Sequence, residues 1–300
     1  MAAKSLDLTH ATGKKALLSA TPAWLRSQLR FWGRNRLALI GLLIILIVIL
    51  AAVFAPLLAP HDPYARDIRN RIAAPGSTYL LGTDELGRDT LSRIIYGSRI
   101  SLLVGGVSVG LATLIGAPLG LVAGYNQGRF DSLIMRLMDA LLSFPEIVLA
   151  IAILAILGPS AANAMIAIGI VYIPIFARTI RAPALAESHR EYVEAARASG
   201  ANSMRILFRH IAPNTLSILI IRITTSLSYA ILAEASLSYL GLSASPPTPT
   251  WGRMLKDGQS FMQQAPWVAV FPGIAIALAV LGFNLLGDGL RDAFDPRTKK

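Results

Sequence analysis

The chain has 300 residues, of which 54% are hydrophobic and only 15% are charged, and its mean hydropathy is +0.57. Soluble domains carry about 25% charged residues, so this deficit indicates an integral membrane protein. The net charge of +11 would suggest nucleic-acid binding in a soluble protein. Nucleic-acid grooves interleave aromatic residues with their charges, and no such pattern occurs here. Without cysteine, and with four scattered histidines, the chain is expected to hold no disulfide and no metal site.

Six charge-poor stretches are long enough to cross a bilayer, near residues 37–59, 100–124, 132–157, 163–180, 214–240 and 266–287. The first follows seven basic residues and is longer than a signal peptide, so we predict an uncleaved span. The third and fourth are separated only by "LGPSAAN", a composition typical of a tight turn. Five or seven spans also remain compatible with this pattern.

The Lys and Arg count predicts the orientation. If the N-terminus lies inside, eighteen of these residues fall in inside segments and seven in outside segments. The positive-inside rule therefore predicts that both termini are cytoplasmic. The predicted organisation is a cytoplasmic tail (1–36), a first transmembrane helix (37–59), an extracytoplasmic loop (60–98), a permease core (99–290) with a cytoplasmic elbow at 181–213, and a cytoplasmic tail (291–300).

Five glycines recur at close to four-residue spacing in the second span: Gly106, Gly110, Gly116, Gly120 and Gly124. Small residues at this spacing mark a face where helices pack closely in lipid. Packing within this chain is the favoured interpretation, and packing against a partner subunit is the alternative.

Four charged residues fall inside the apolar spans: Asp139, Glu146, Arg222 and Glu234. Because a charge at the bilayer centre costs about 2.5–3.5 kcal/mol on insertion scales, such residues usually face a bundle interior or an aqueous path. A translocation path is the functional interpretation. An interhelical pair or a position near the interface is the structural one. Pro145 and Pro174 are candidate kinks.

The segment "EAARASGANSMRILFRHIAPN", residues 194–214, is too charged to lie in lipid. Glu187, Arg190, Glu191 and Glu194 have the spacing of neighbours on one helix surface. Gly200 is placed to end that helix, Asn202 or Ser203 to cap a second short helix, and Pro213 to end it. The segment is therefore predicted to be a helix–turn–helix elbow, either a docking surface or a solvated loop.

The same segment resembles the EAA motif of importer permeases of the ATP-binding cassette class, through Glu194, Ala195, Ala196, Gly200 and Pro213. His210 and Ala212 depart from the family's common Ile and Leu. Three further stretches resemble the C-type permease subunit of dipeptide, oligopeptide and nickel importers: "LLGTDELGRDTLSRIIYGSRISLLVG", "SYLGLSASPPTPTWGRML" and "NLLGDGLRDAFDPR".

The resemblance implies an all-α membrane protein with the type I (MetI-like) importer permease fold, in the inner membrane of a bacterium. It implies a homologous second permease, two cytoplasmic ATPases that dock on the elbow, and an extracytoplasmic binding protein as partners. The chain has no phosphate-binding loop, so we expect no bound cofactor and no ATP hydrolysis of its own.

Peptides are the favoured substrate, with glutathione, opines and chelated nickel as alternatives. An ion-coupled transporter working through Asp139, Glu146 or Glu234 is a second hypothesis, and a membrane enzyme is a third.

Overall fold

The computed structural model describes residues 36–294, and within that range every regular element is helical. Residues 1–35 and 295–300 lie outside the described residues, and with them most of the predicted cytoplasmic tails. The helices are α1 (Arg36–Val53), α2 (Ala55–Leu58), α3 (Thr90–Asn126), α4 (Gly128–Leu142), α5 (Glu146–Leu157), α6 (Ala161–Ser188), α7 (Glu191–Ala198), α8 (Ser203–Ile206), α9 (Ala212–Tyr239), α10 (Trp251–Gln259) and α11 (Trp267–Phe294). Two shorter elements complete them, a 3-10 turn at Ile68–Asn70 and a π-helical turn at Leu207–Ile211.

Within residues 36–294, five helices are long and apolar enough to cross a membrane, and α4 with α5 would make a sixth crossing. The prediction of one continuous third span at 132–157 is wrong, because α4 and α5 meet at an angle of 89°. The break falls at Pro145, which precedes the first residue of α5. Proline supplies no backbone N–H and disfavours helical geometry at the residue before it, here Phe144.

The most extensive helix contact among the described residues joins α3 to α6. A Cβ atom added to Gly116 would lie 2.5 Å from the carbonyl oxygen of Ile173, and one added to Gly124 would lie 2.6 Å from that of Arg181. Gly120 meets the Ala177 carbonyl in the same way. Only glycine permits this backbone approach, so packing within the chain is confirmed for these three. Gly106 and Gly110 differ, since a Cβ there would meet nothing within 4 Å.

The loop before α3 is ordered by a buried charge network. The Asp84 carboxylate lies 2.6 Å from Arg88 Nε and 3.3 Å from Arg93 Nε, and all three side chains are buried. Asp89 caps α3 by accepting a hydrogen bond from Ser92 N at 2.8 Å. This cap starts α3 at Thr90, inside the predicted loop 60–98. The second long loop, between α9 and α11, also contains a helix, α10.

The two ends of the bundle differ in what they carry. At one end, Trp251 Nε1 donates to the carbonyl of Ile94 and Trp267 Nε1 to that of Thr83, which joins the two long loops. At the other end, the Gln127 amide lies 2.9 Å from His189, so α3 ends beside the elbow. Gly41 of α1 lies beside Leu286 of α11, and Ile45, one turn later, lies beside Gly282, so these two helices run antiparallel. The elbow and the two described chain ends therefore share one end of the bundle.

Candidate functional site

The elbow is shorter than predicted. Residues 181–188 form the last turns of α6, and the chain breaks at His189 before α7 begins at Glu191. Glu187 and Glu191 therefore lie on different helices, contrary to the helix-surface spacing inferred above. Across the break, Arg190 Nε lies 3.6 Å from a Glu187 carboxylate oxygen.

The turn between α7 and α8 agrees with the sequence prediction. Gly200 has φ +80°, a left-handed conformation that side chains with a Cβ rarely adopt. The Asn202 side chain then caps α8 by accepting a hydrogen bond from Arg205 N at 2.8 Å. Val193, Ile206 and Ile211 are buried and fix the elbow against the ends of α3 and α6. The elbow is thus a rigid two-helix element.

Pro213 does not end the second helix. From Ser203 to Tyr239 the helix is continuous through the π-helical turn, and Pro213 stands in the first turn of α9. The Asn214 amide donates to the His210 carbonyl at 2.9 Å and to Tyr192 Oη at 2.8 Å. Tyr192 Oη also lies 3.3 Å from the His210 carbonyl oxygen, so these contacts tie α7 to the start of α9.

The outward side of the elbow carries small and apolar residues. Glu194, Ala195 and Gly200 are exposed, whereas Ala196 is half-buried against the cluster below. Met204 and Phe208, one turn apart on the second helix, are 63% and 60% exposed. An exposed apolar face on a rigid element is typical of a surface that contacts another protein.

A second candidate site is a cleft of about 240 Å³ between α5, α6 and α9. Glu146, Tyr172, Tyr229 and Ser236 are the polar residues that line it, among apolar side chains. Arg222 of α9 lies outside this lining, but it is close enough to Glu146 and both tyrosines for their charges to act on it. Its Nε is buried and has no hydrogen-bond partner.

The other two predicted pathway residues lie elsewhere. Asp139 forms an ion pair with Arg178, which joins α4 to α6 where both side chains are about half exposed. Glu234 is fully buried and accepts hydrogen bonds from Ser101 at 3.0 Å and Ser243 at 3.3 Å. The structure thus brings Glu146 and Arg222 together and separates Asp139 and Glu234 from them.

Residues 116–300 match the family described as the binding-protein-dependent transport system inner membrane component. The chain belongs to this family. Residues 24–75 of this permease also match the N-terminal transmembrane domain of oligopeptide transport permease C. The fold agrees, since a solved inward-facing MetNI methionine transporter chain superposes with a TM-score of 0.57 at 19% identity, over 68% of this permease and 97% of that chain.

Curated relatives cover nearly the whole permease. It is 48% identical over 266 residues to the dipeptide transport system permease protein DppC of Alkalihalophilus pseudofirmus, which covers 89% of this chain and 88% of the relative. It is 47% identical to the di/tripeptide transport system permease protein DppC of Pseudomonas aeruginosa, over 90% and 92%. It is 45% identical to the glutathione transport system permease protein GsiD of Pectobacterium atrosepticum, over 95% and 98%.

Sequence reasoning missed the tyrosines of both sites. Tyr172 and Tyr229 line the cleft, and Tyr192 links the two halves of the elbow. One signal was available in the sequence: Arg222 and Tyr229 are seven residues apart, which places them on one face of a helix. The pairing of that face with α5 was not visible in the sequence.

Proposed function

We propose that this permease imports short peptides, as one of two homologous membrane subunits whose interface forms the pathway. The similarity to di- and tripeptide permeases supports this substrate class. In this arrangement a binding protein delivers the peptide to the end that carries the two long loops. The Lys and Arg count supports the opposite, elbow end as cytoplasmic.

The elbow is proposed to receive the energy for transport from two cytoplasmic ATPases. The observation that carries this proposal is its construction: buried Val193, Ile206 and Ile211 anchor two short helices whose outer side is exposed. A rigid element of this kind transmits a movement at its surface into α6 and α9, to which it is joined on both sides. Glu194, Ala195, Ala196, Gly200 and Pro213 are its proposed coupling residues.

The first experiment compares two substitutions at one position, in the complete transporter purified with its partner subunits. Ala195→Trp fills the docking surface, whereas Ala195→Ser keeps it small. We expect Ala195→Trp to abolish peptide-stimulated ATPase activity and uptake, and Ala195→Ser to retain both. Gly200→Pro should behave like Ala195→Trp, because proline does not reach the φ of +80° found there. Normal transport by both disruptive variants would contradict the coupling role.

A second experiment uses the natural absence of cysteine. A single cysteine at the exposed position Ala195 is expected to crosslink to an ATPase subunit. Val193 on the same helix is fully buried, so a cysteine there is the control and should not crosslink. Equal crosslinking at the two positions would contradict the proposed orientation of α7.

Glutathione is the alternative substrate with a relative in its favour. Competition among a dipeptide, glutathione, an opine and a nickel chelate for uptake by the complete transporter separates these substrates. Uptake by this chain alone, in vesicles without the ATPases, would instead support an ion-coupled transporter.

A further inference from the structure

The break between α4 and α5 opens a polar position inside the membrane. The twelve residues of α5 extend about 18 Å, whereas the hydrocarbon core is about 30 Å thick. With the far end of α5 at the outer surface, Glu146 at its first turn lies well below that surface. Non-helical backbone at such depth is tolerated only where it is buried in protein or lines an aqueous cavity. Here it borders the cleft.

Two opposite charges approach this cleft without neutralising each other. Glu146 and Arg222 interact electrostatically, yet among residues 36–294 neither forms an ion pair. The buried Nε of Arg222 also lacks a hydrogen-bond partner. A charge in a membrane protein is costly unless it is compensated, so a separated pair favours a ligand that carries both complementary charges.

The geometry of α9 orders these groups along the pathway. Arg222, Tyr229, Ala233 and Ser236 lie on one face, since seven, eleven and fourteen residues are close to whole turns. Arg222 stands about 10 Å along the axis from Tyr229, on the elbow side of the cleft. A carboxylate therefore lies beside the tyrosines of the cleft, and a guanidinium lies outside its lining, towards the elbow end.

We propose that this cleft binds the charged ends of a short peptide, with Glu146 accepting the α-ammonium group and Arg222 the α-carboxylate. An extended dipeptide spans roughly 7 Å at 3.3–3.6 Å per residue, a length suited to two charges too far apart to pair directly. Tyr229 is 59% exposed and offers its ring to the peptide, whereas Tyr172 is almost fully buried and forms the floor. This inference rests on the proposed function and assigns a recognition site within it.

The test uses the complete transporter in lipid nanodiscs, with a single cysteine in place of Ser236 in the otherwise cysteine-free chain. The rate of maleimide labelling at this cysteine is measured at increasing concentrations of L-alanyl-L-leucine, of its N-acetylated form and of its C-terminal amide. We expect the free dipeptide to slow labelling at a concentration at least tenfold lower than either blocked form.

Substitutions then assign each charge. Glu146→Gln should raise at least tenfold the concentration of free dipeptide needed to slow labelling. In this variant the N-acetylated form should protect as well as the free dipeptide. Glu146→Asp should restore the behaviour of the parent chain in both respects. In Arg222→Gln the C-terminal amide should protect as well as the free dipeptide. Arg222→Lys should restore part of the difference between them. Asp288→Asn and Arg291→Gln change equivalent charges at exposed positions of α11 and should leave protection unchanged.

Two results would overturn the proposal. One is equal protection by free and blocked dipeptides in the parent chain. The other is undiminished discrimination in Glu146→Gln and Arg222→Gln. Uptake of labelled L-alanyl-L-leucine by the parent complex is measured in parallel. If uptake proceeds while discrimination at the cleft is absent, the recognition site is wrong and peptide import stands. If no uptake occurs, peptide import itself fails.

Discussion

The contact between α3 and α6 allows a sharp test, because the same substitution can be made at a closed and at an open glycine of one helix. In Gly116→Ala the new methyl group would lie 2.5 Å from the Ile173 carbonyl oxygen and 2.7 Å from Phe176 Cβ. In Gly106→Ala it would meet nothing within 4 Å. Both positions are inside α3, so both variants gain the same helix propensity, about 1 kcal/mol.

Since the propensity gain cancels between the two variants, their difference measures the steric cost. Overpacking costs typically about 1–3 kcal/mol. The obstructing atom at Gly116 is a backbone oxygen, which no side-chain rotation removes, so we expect a value near the upper end. The net result is a loss of about 2 kcal/mol for Gly116→Ala and a gain of up to about 1 kcal/mol for Gly106→Ala.

The assay is thermal unfolding of the purified chain in detergent, read as the midpoint of each variant against the parent. A midpoint for Gly116→Ala equal to or above that of Gly106→Ala would refute the reasoning. The same pair in the complete transporter tests the alternative raised by the sequence. If Gly106→Ala destabilises only the assembled complex, the open glycines pack against a partner subunit.

Three further predictions concern other charges and caps. Glu234→Gln should retain near-normal stability, because its amide still pairs with Ser101 and Ser243. Glu234→Leu leaves both serine hydroxyls unpaired, which should lower the free energy of unfolding by about 1–3 kcal/mol for each hydroxyl. Thermal or denaturant unfolding measures the difference. Asn202→Ala should destabilise the elbow by about 1 kcal/mol, because the cap of α8 is lost. The measurement is hydrogen exchange at the Arg205 amide, which should become faster, and Ser203→Ala is the control. Burial, aided by Asp84, raises the pKa of Glu85, so the folded state binds its proton more tightly. The Glu85 contribution to the free energy of unfolding therefore increases as pH falls from 7 towards 5. Glu85→Gln should lose this pH dependence. An unchanged pH dependence in Glu85→Gln would contradict the prediction.

The sequence predicted the spans well because insertion into lipid depends on local composition. Long charge-poor stretches near 100–124, 163–180, 214–240 and 266–287 correspond to α3, α6, α9 and α11. It also predicted the turn at Gly200 and the Asn202 cap, since both follow from residues next to each other in the chain. The motif at Glu194–Gly200 indicated the family by itself.

Three predicted boundaries differ from those of the structure. The helix from Ser203 runs through Pro213, which stands in the first turn of α9 directly after the π-helical turn. Helix α3 starts inside the predicted loop 60–98, because Asp89 caps it and buried Asp84 compensates Arg93 within its first turn. The third span bends at Pro145, and hydropathy does not report a change of direction.

The sequence by itself determined that this chain is a multi-span permease with an elbow between two of its helices, because hydropathy and the motif are properties of contiguous residues. Only the tertiary structure decided which intramembrane charges share a site. Glu146, which lines the cleft, and Arg222, which lies near it, are 76 positions apart and come close because α5 and α9 both flank α6. Glu234, on the same helix as Arg222, faces Ser101 instead, because the helical turn directs neighbouring residues to different partners.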